Sequence, residues 1–127
     1  MSLALQKPMA YGLGFIRIAI GSTALAAPGL AMRLWLGVDP RANSVKAMGL
    51  AIGARDLALG IGTLSSLRAD GSSALWLQCG ALADSADAVA TLRAFAGSKD
   101  PRVLIALAAV GAAGTGAWLA WKENQTG

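Results

Sequence analysis

Four apolar runs, separated by short polar stretches, constrain this chain more than any other feature. They cover residues 9–27, 44–67, 73–95 and 102–121. Each has roughly 19–24 residues, and at about 1.5 Å per residue a helix of that length crosses a hydrocarbon core of about 30 Å. Ala, Leu and Gly dominate and no run alternates with period two, so helices are expected and sheet is not. The composition agrees. Hydrophobic residues make up 55% and charged residues 14% of the 127, against about 45–50% and 25% in soluble domains. The expected fold is all-α: one integral membrane four-helix bundle over residues 1–127.

The connections carry their own signals. Asp39-Pro40-Arg41-Ala42-Asn43-Ser44 reads as a turn, with Asn43 or Ser44 as the expected N-cap. Pro101 suits a helix start, where its missing N–H costs nothing. Between the first two helices, Leu30, Met32, Leu34, Trp35 and Leu36 with Arg33 predict a short amphipathic piece in the interface plane. Lys7 and Ala24-Leu25-Ala26 resemble a cleavable signal, but Arg17 sits inside the would-be apolar region and argues against cleavage.

The charge of +4 is expected to orient the chain. Lys7, Arg68 and Lys122 fall on the side of the termini, and Arg33, Arg41, Lys46, Arg93, Lys99 and Arg102 on the other. The excess places loops one and three in the cytoplasm, with a bacterial cytoplasmic membrane as the expected location. Tyr11, Trp76, Trp118 and Trp121 fall near the terminal side, as an aromatic belt would. No basic cluster is interleaved with aromatics, so no nucleic acid is expected. The fourth helix, with Gly111, Gly114 and the Ala112/Gly116 spacing, is expected to pack closely or to form a homodimer face.

Much chemistry is excluded. The chain has no His, hence no Ser-His or Cys-His dyad and no imidazole metal ligand. Cys79 has no internal disulfide partner and is expected to be a small core residue. No metal spacing is present. Gly12-x-Gly14 lacks the third glycine and preceding strand of a dinucleotide site, and no phosphate-loop motif occurs, so no cofactor is expected.

What remains is a set of charges at the helix centres: Arg17 in the first run, Arg55-Asp56 in the second, Asp84 and Asp87 in the third. A charge at the bilayer centre costs about 2.5–3.5 kcal/mol, so five facing lipid would cost on the order of 12–17 kcal/mol. Total stabilities are about 5–15 kcal/mol. The five must therefore face one another. Asp84 and Asp87 share a helix face, whereas Arg55 and Asp56 lie about 100° apart and reach the interior from its two edges. Two arginines and three aspartates leave one surplus negative charge. One carboxyl, of Asp84 or Asp87, is expected to carry a proton, the titration belonging to the pair. Ser22, Thr23, Gln78, Ser85 and Thr91 are available for further hydrogen bonds.

Such a network is either structural glue or a working site. As a site, Asp84, Asp87, Asp56, Arg55 and Arg17 would do acid–base work on a lipophilic small molecule: epoxide opening, cyclisation or isomerisation. The groups resemble those of limonene-type epoxide hydrolases, whose fold is soluble α+β, so the likeness is one of chemistry alone. A pocket is expected among helices one to three at the midplane, with Gly53, Gly60 and Gln78 as substrate contacts. A proton-coupled carrier is the second reading. The length resembles that of small multidrug resistance exporters, but those carry a glutamate in the first helix, where this chain has Arg17. An accessory subunit of a larger membrane complex is the third.

Two stretches carry a family likeness: Gly53, Arg55, Asp56, Leu57, Leu59 and Gly60 in "GARDLALG", and Ala83, Asp84 and Asp87 in "ADSAD". They resemble a group of small four-helix membrane proteins classed as a domain of unknown function. The resemblance implies a four-helix membrane fold and no particular activity.

Overall fold

A computed structural model describes residues 3–95, 97 and 99–126. The described chain is all-α, with five helices: α1 (Leu3–Ala26), α2 (Pro28–Leu36), α3 (Asn43–Arg68), α4 (Ala74–Ala94) and α5 (Val103–Thr126). Three stretches are long and apolar enough to cross a membrane: Gln6–Ala26, Asn43–Arg68 and Val103–Gln125. α4, which holds Asp84, Asp87 and Arg93, has the length and is not among them. The four-helix expectation thus becomes four long helices plus α2, three of the long ones being apolar enough to span a membrane.

The ends of the helices explain the short one. Ala27 breaks the helix at φ −140°, and Pro28 restarts it at a position where no N–H is needed. Gly37 ends α2 in the left-handed conformation (φ 69°), its N–H bonding the Arg33 carbonyl. Asp39 then forms the turn, its carboxylate accepting from the Arg41 N–H at 3.0 Å. The expected N-cap at Asn43 or Ser44 is not observed. Asn43 is already helical and Ala42, extended and without a side-chain acceptor, holds the cap position. At the start of α4, Ser73 is buried, and both its N–H and its Oγ donate to the Glu123 carboxylate, at 2.7 and 2.8 Å. α5 therefore caps α4, and this contact accounts for α5 continuing past residue 121. α1 starts earlier than expected and takes Pro8 inside it.

The interior is built from small residues. Ala10, Ala24, Ala81, Ala88, Ala106, Ala113 and Ala120 are buried, whereas Phe15, Ile20, Leu82, Leu104 and Leu107 are more than half exposed. A soluble domain buries its large side chains; here many of them face out, while Met32, Leu59, Leu64, Leu67, Leu77 and Leu119 are buried. Cys79 is exposed as well, which corrects the expectation of a core cysteine. The side chain at position 79 falls on the outward face of α4, between buried Leu77 and Gly80.

Glycine lets α1 and α3 run antiparallel in close contact. A Cβ at Gly60 would lie 2.7 Å from the Gly14 carbonyl, and one at Gly21 would lie 2.7 Å from the Gly53 carbonyl. Gly14/Gly21 and Gly53/Gly60 are thus two matched pairs at seven-residue spacing. α4 and α5 form the second close pair, with Gly116 against the Leu77 carbonyl. Gly111 and Gly114 point away from it and meet nothing within 4 Å, so the small residues of α5 divide between two faces. The two helix pairs touch each other sparingly. At the end that holds the termini a cluster of Ala10, Leu67, Ala74, Leu77, Leu119 and Ala120 joins them, with Tyr11 and Trp118 packed on it. Those two aromatics are partly buried core as well as members of the expected belt; Trp76 covers Gly62, and Trp121 is exposed.

Candidate functional site

The five mid-helix charges meet at the seam between the two helix pairs. Arg17 lies on α1 between the close-contact glycines 14 and 21, and Asp56 on α3 between Gly53 and Gly60. These glycines bring the two helices near enough for Arg17 Nη1 to reach Asp56 Oδ1 at 3.4 Å. Across the seam, Arg17 Nη2 donates to Asp84 Oδ2 at 2.5 Å. Arg55 folds back on its neighbour, its Nε and Nη2 donating to Asp56 Oδ1 at 3.2 and 3.1 Å. Its Nη1 and Nη2 also grip Asp87 through both carboxylate oxygens, at 3.0 and 2.6 Å. The order is Asp84–Arg17–Asp56–Arg55–Asp87, alternating in sign throughout. Arg55 and Asp56 reach the interior from adjacent edges and pair with each other as well as across the seam.

All five expected residues are therefore brought together, and Asp84 and Asp87 are parted onto different arginines. Fork-on-fork pairing of Arg55 with Asp87 supplies two parallel charge-assisted bonds, among the stronger hydrogen bonds available. Enclosure is uneven. The side chains of Arg17, Asp56 and Asp84 are 10–13% exposed, against 21% for Asp87 and 31% for Arg55. The network is closed at one end and opens at the other.

Sequence reasoning gave three contributors no part in holding these helices together, although it placed Trp35 in the amphipathic piece. Gly80 makes room for Arg17: a Cβ there would lie 2.8 Å from Nη2 and 3.1 Å from Cζ. Its place one turn before Asp84 is the only sequence signal for that role. Trp35 of α2 donates from Nε1 to Thr91 Oγ1 at 2.9 Å, and Thr91 donates on to the Asp87 carbonyl at 2.7 Å. α2 is thereby fastened to the helix that carries two of the acids. The third is Glu123, the cap of α4. Of the candidate hydroxyls, Thr23 and Ser85, like Thr91, bond carbonyls four residues back in their own helices.

The expected substrate contacts lie elsewhere. Gly53 and Gly60 are buried under the α1 backbone, which fills the space a ligand would need. Gln78 is exposed on α4. Nor does the larger cavity adjoin the five charges. It measures about 620 Å³ and opens at the terminal end, between Lys7, Asp70, Ser72 and Glu123, with Ala10, Leu67, Leu77 and Leu119 as its apolar lining. A second hollow of about 360 Å³ lies on the outside, between Met9 of α1 and Val110, Gly114 and Trp118 of α5. Among the described residues no group of three His, Cys, Asp or Glu is placed to hold a metal ion.

Compared with protein-family models, with curated proteins and with solved structures, the chain finds no match in any of the three. The functional reading rests on its own geometry.

Proposed function

We propose that the chain is an integral membrane four-helix protein, with α1, α3, α4 and α5 crossing the bilayer, and an enzyme acting on a lipophilic substrate through its buried aspartate–arginine network. The observation that carries this is the surplus carboxylate at a one-sided opening. A network built only to hold helices is best balanced, because an unpaired buried charge is costly. Here three aspartates share two arginines. The least enclosed members, Asp87 and Arg55, lie at the open end of the network, where a molecule dissolved in the bilayer would arrive.

In this reading Asp87 is the carboxylate that touches substrate. It takes a proton from the attacking water as the water opens an epoxide, or from a substrate carbon in an isomerisation. It then returns that proton to the epoxide oxygen or to another carbon, and ends as the carboxylate it began as. Both arginines stay charged throughout and stabilise negative charge on the carboxylates. Arg17, Asp56 and Asp84 position Arg55 from the closed end.

The same geometry also favours a second reading. Every one of the five groups has a partner, and neither cavity adjoins them. That is what a register clamp for an accessory subunit requires. The test is the thermal midpoint of wild type and Asp87→Asn in detergent, with and without an extract of lipophilic compounds. The enzyme reading expects a ligand-induced rise for wild type and a folded Asp87→Asn that has lost it. Collapse of Asp87→Asn, with no rise for wild type, leaves the clamp as the role of these residues.

A further inference from the structure

α2 is turned so that one of its faces has no partner within the chain. Its inner face is fixed at three points. Gly29 lies against the Pro40 carbonyl, Met32 is 2% exposed, and Trp35 bonds Thr91. Leu30, Arg33 and Leu34, at positions i, i+3 and i+4, must then face outward together. Leu30 is 51% and Leu34 67% exposed, and Arg33 is exposed between them. Nine residues make a helix of about 14 Å, too short to cross a hydrocarbon core of about 30 Å.

The surroundings are strongly basic. This end of the bundle holds Arg33, Arg41, Lys46, Arg93, Lys99 and Arg102 against Asp39 and Asp100 alone. Asp39 is 3.6 Å from Arg41, and Asp100 is 2.8 Å from Arg102, so both acids are already engaged. Arg33 and Lys46 form no ion pair among the described residues, and both are exposed. Two outward leucines flanking an arginine, on a bundle end with excess positive charge, fit one partner in particular.

We propose that the outer face of α2 is a docking surface for the headgroups of anionic phospholipids. Leu30 and Leu34 enter the boundary between headgroups and acyl chains, while Arg33 and Lys46 extend to the phosphates. Through Trp35 and Thr91, the docked helix braces the segment of α4 that carries Asp87. This rests on the membrane reading above and is independent of the enzyme reading.

The experiment uses the full chain, with Cys79→Ser, in vesicles of phosphatidylcholine with and without phosphatidylglycerol. Nitroxide labels are attached to Leu34→Cys and, separately, to Leu107→Cys on the outward face of α5. Collision with oxygen and with a polar nickel reagent reports depth. The Leu107 label, one turn inside α5, is expected among the acyl chains, and the Leu34 label nearer the surface at the headgroup boundary. The thermal midpoint is expected to rise with phosphatidylglycerol, and that rise to vanish in Arg33→Gln/Lys46→Gln. It also vanishes in about 1 M salt, where screening acts within about 3 Å. A Leu34 label in water with the Leu107 label in lipid overturns the docking surface alone. Both labels in water overturn the membrane reading itself. A lipid-dependent rise that survives in the double variant, or no rise for wild type, overturns the role of charge.

Discussion

Removing Arg17 should cost far more than removing the acid it binds. In Arg17→Gln, Asp84 loses its ion-pair partner at 2.5 Å while its side chain stays 13% exposed. Asp56 keeps Arg55 at 3.1 Å, but the network is left with three carboxylates and one guanidinium. Breaking a buried pair in this direction costs about 3–5 kcal/mol. Asp84→Asn works the other way. It brings the network to two acids and two arginines, leaves Arg17 with Asp56 at 3.4 Å, and keeps an amide oxygen that can accept from Nη2. The net loss is about one ordinary hydrogen bond, about 0.5–1.5 kcal/mol. The double variant Arg17→Gln/Asp84→Asn leaves two neutral amides facing each other and should recover most of the loss of Arg17→Gln. The assay is unfolding in mixed micelles by titration with a denaturing detergent, followed by far-ultraviolet circular dichroism. If Asp84→Asn proves as damaging as Arg17→Gln, or the double variant gains nothing, the surplus-charge reasoning is refuted.

Other perturbations test the packing around the network. Gly80→Leu should expel the Arg17 guanidinium and reproduce the destabilisation of Arg17→Gln in the same titration; Gly80→Ala should be much milder, because the atom in its way is the tip of a flexible chain. Gly21→Ala meets the Leu57 N and the Gly53 carbonyl instead, neither of which can move aside cheaply, and should cost about 1–3 kcal/mol as overpacking does. Gly12→Ala meets nothing within 4 Å and should stabilise α1 by about 0.5–1 kcal/mol, measured alongside it. Glu123→Ala removes the cap of α4, expected to cost about 0.5–2 kcal/mol and to show first as faster amide exchange at residues 73–76. Cys79, on the outward face of α4, should react in native micelles faster with an uncharged, micelle-soluble maleimide than with a charged thiol reagent, and that difference should disappear in denaturant.

The helices were legible because length and apolarity are summed over about twenty residues, where single exceptions average out. That the five charges meet was legible for an energetic reason: scattered singly in such apolar segments they have no tolerable arrangement. Detail at the level of one residue was not. Cys79 sits in an apolar run, but a run buried on one face exposes its other face, and hydrophobicity does not distinguish the two when both solvents are apolar. Gly53 and Gly60 are equally consistent with a ligand or a helix above them; only their register with Gly14 and Gly21 decides, and that register belongs to the fold. The cap falls at Ala42, before Asn43 and Ser44 and just after the turn that Asp39 closes, a one-residue difference that side-chain preference does not decide. Glu123 and Trp35 act across the bundle, at separations of 50 and 56 residues, where no local pattern points.

The division of labour between glycine and arginine gives the arrangement its logic. α1 and α3 touch backbone to backbone, so little space separates them and no large side chain is needed to hold them. α3 and α4, joined by a short turn, remain farther apart over most of their length. A gap between helices in an apolar solvent cannot be closed by hydrophobic burial, since lipid tails are as apolar as leucine. It must be closed by packing or by polar contacts strong enough to offset their own desolvation. Arg17 and Arg55 span it, one from each member of the glycine pair, and each takes one acid of α4. Asp56 ties the two arginines to each other, so the spans do not act independently: a shift of α4 along the seam must break both. That coupling explains why the acids of α4 are three residues apart. The spacing puts one carboxylate before each guanidinium on a single face. It leaves the Asp87 end, the least enclosed part of the network, as the place where the seam can open without unlocking the rest.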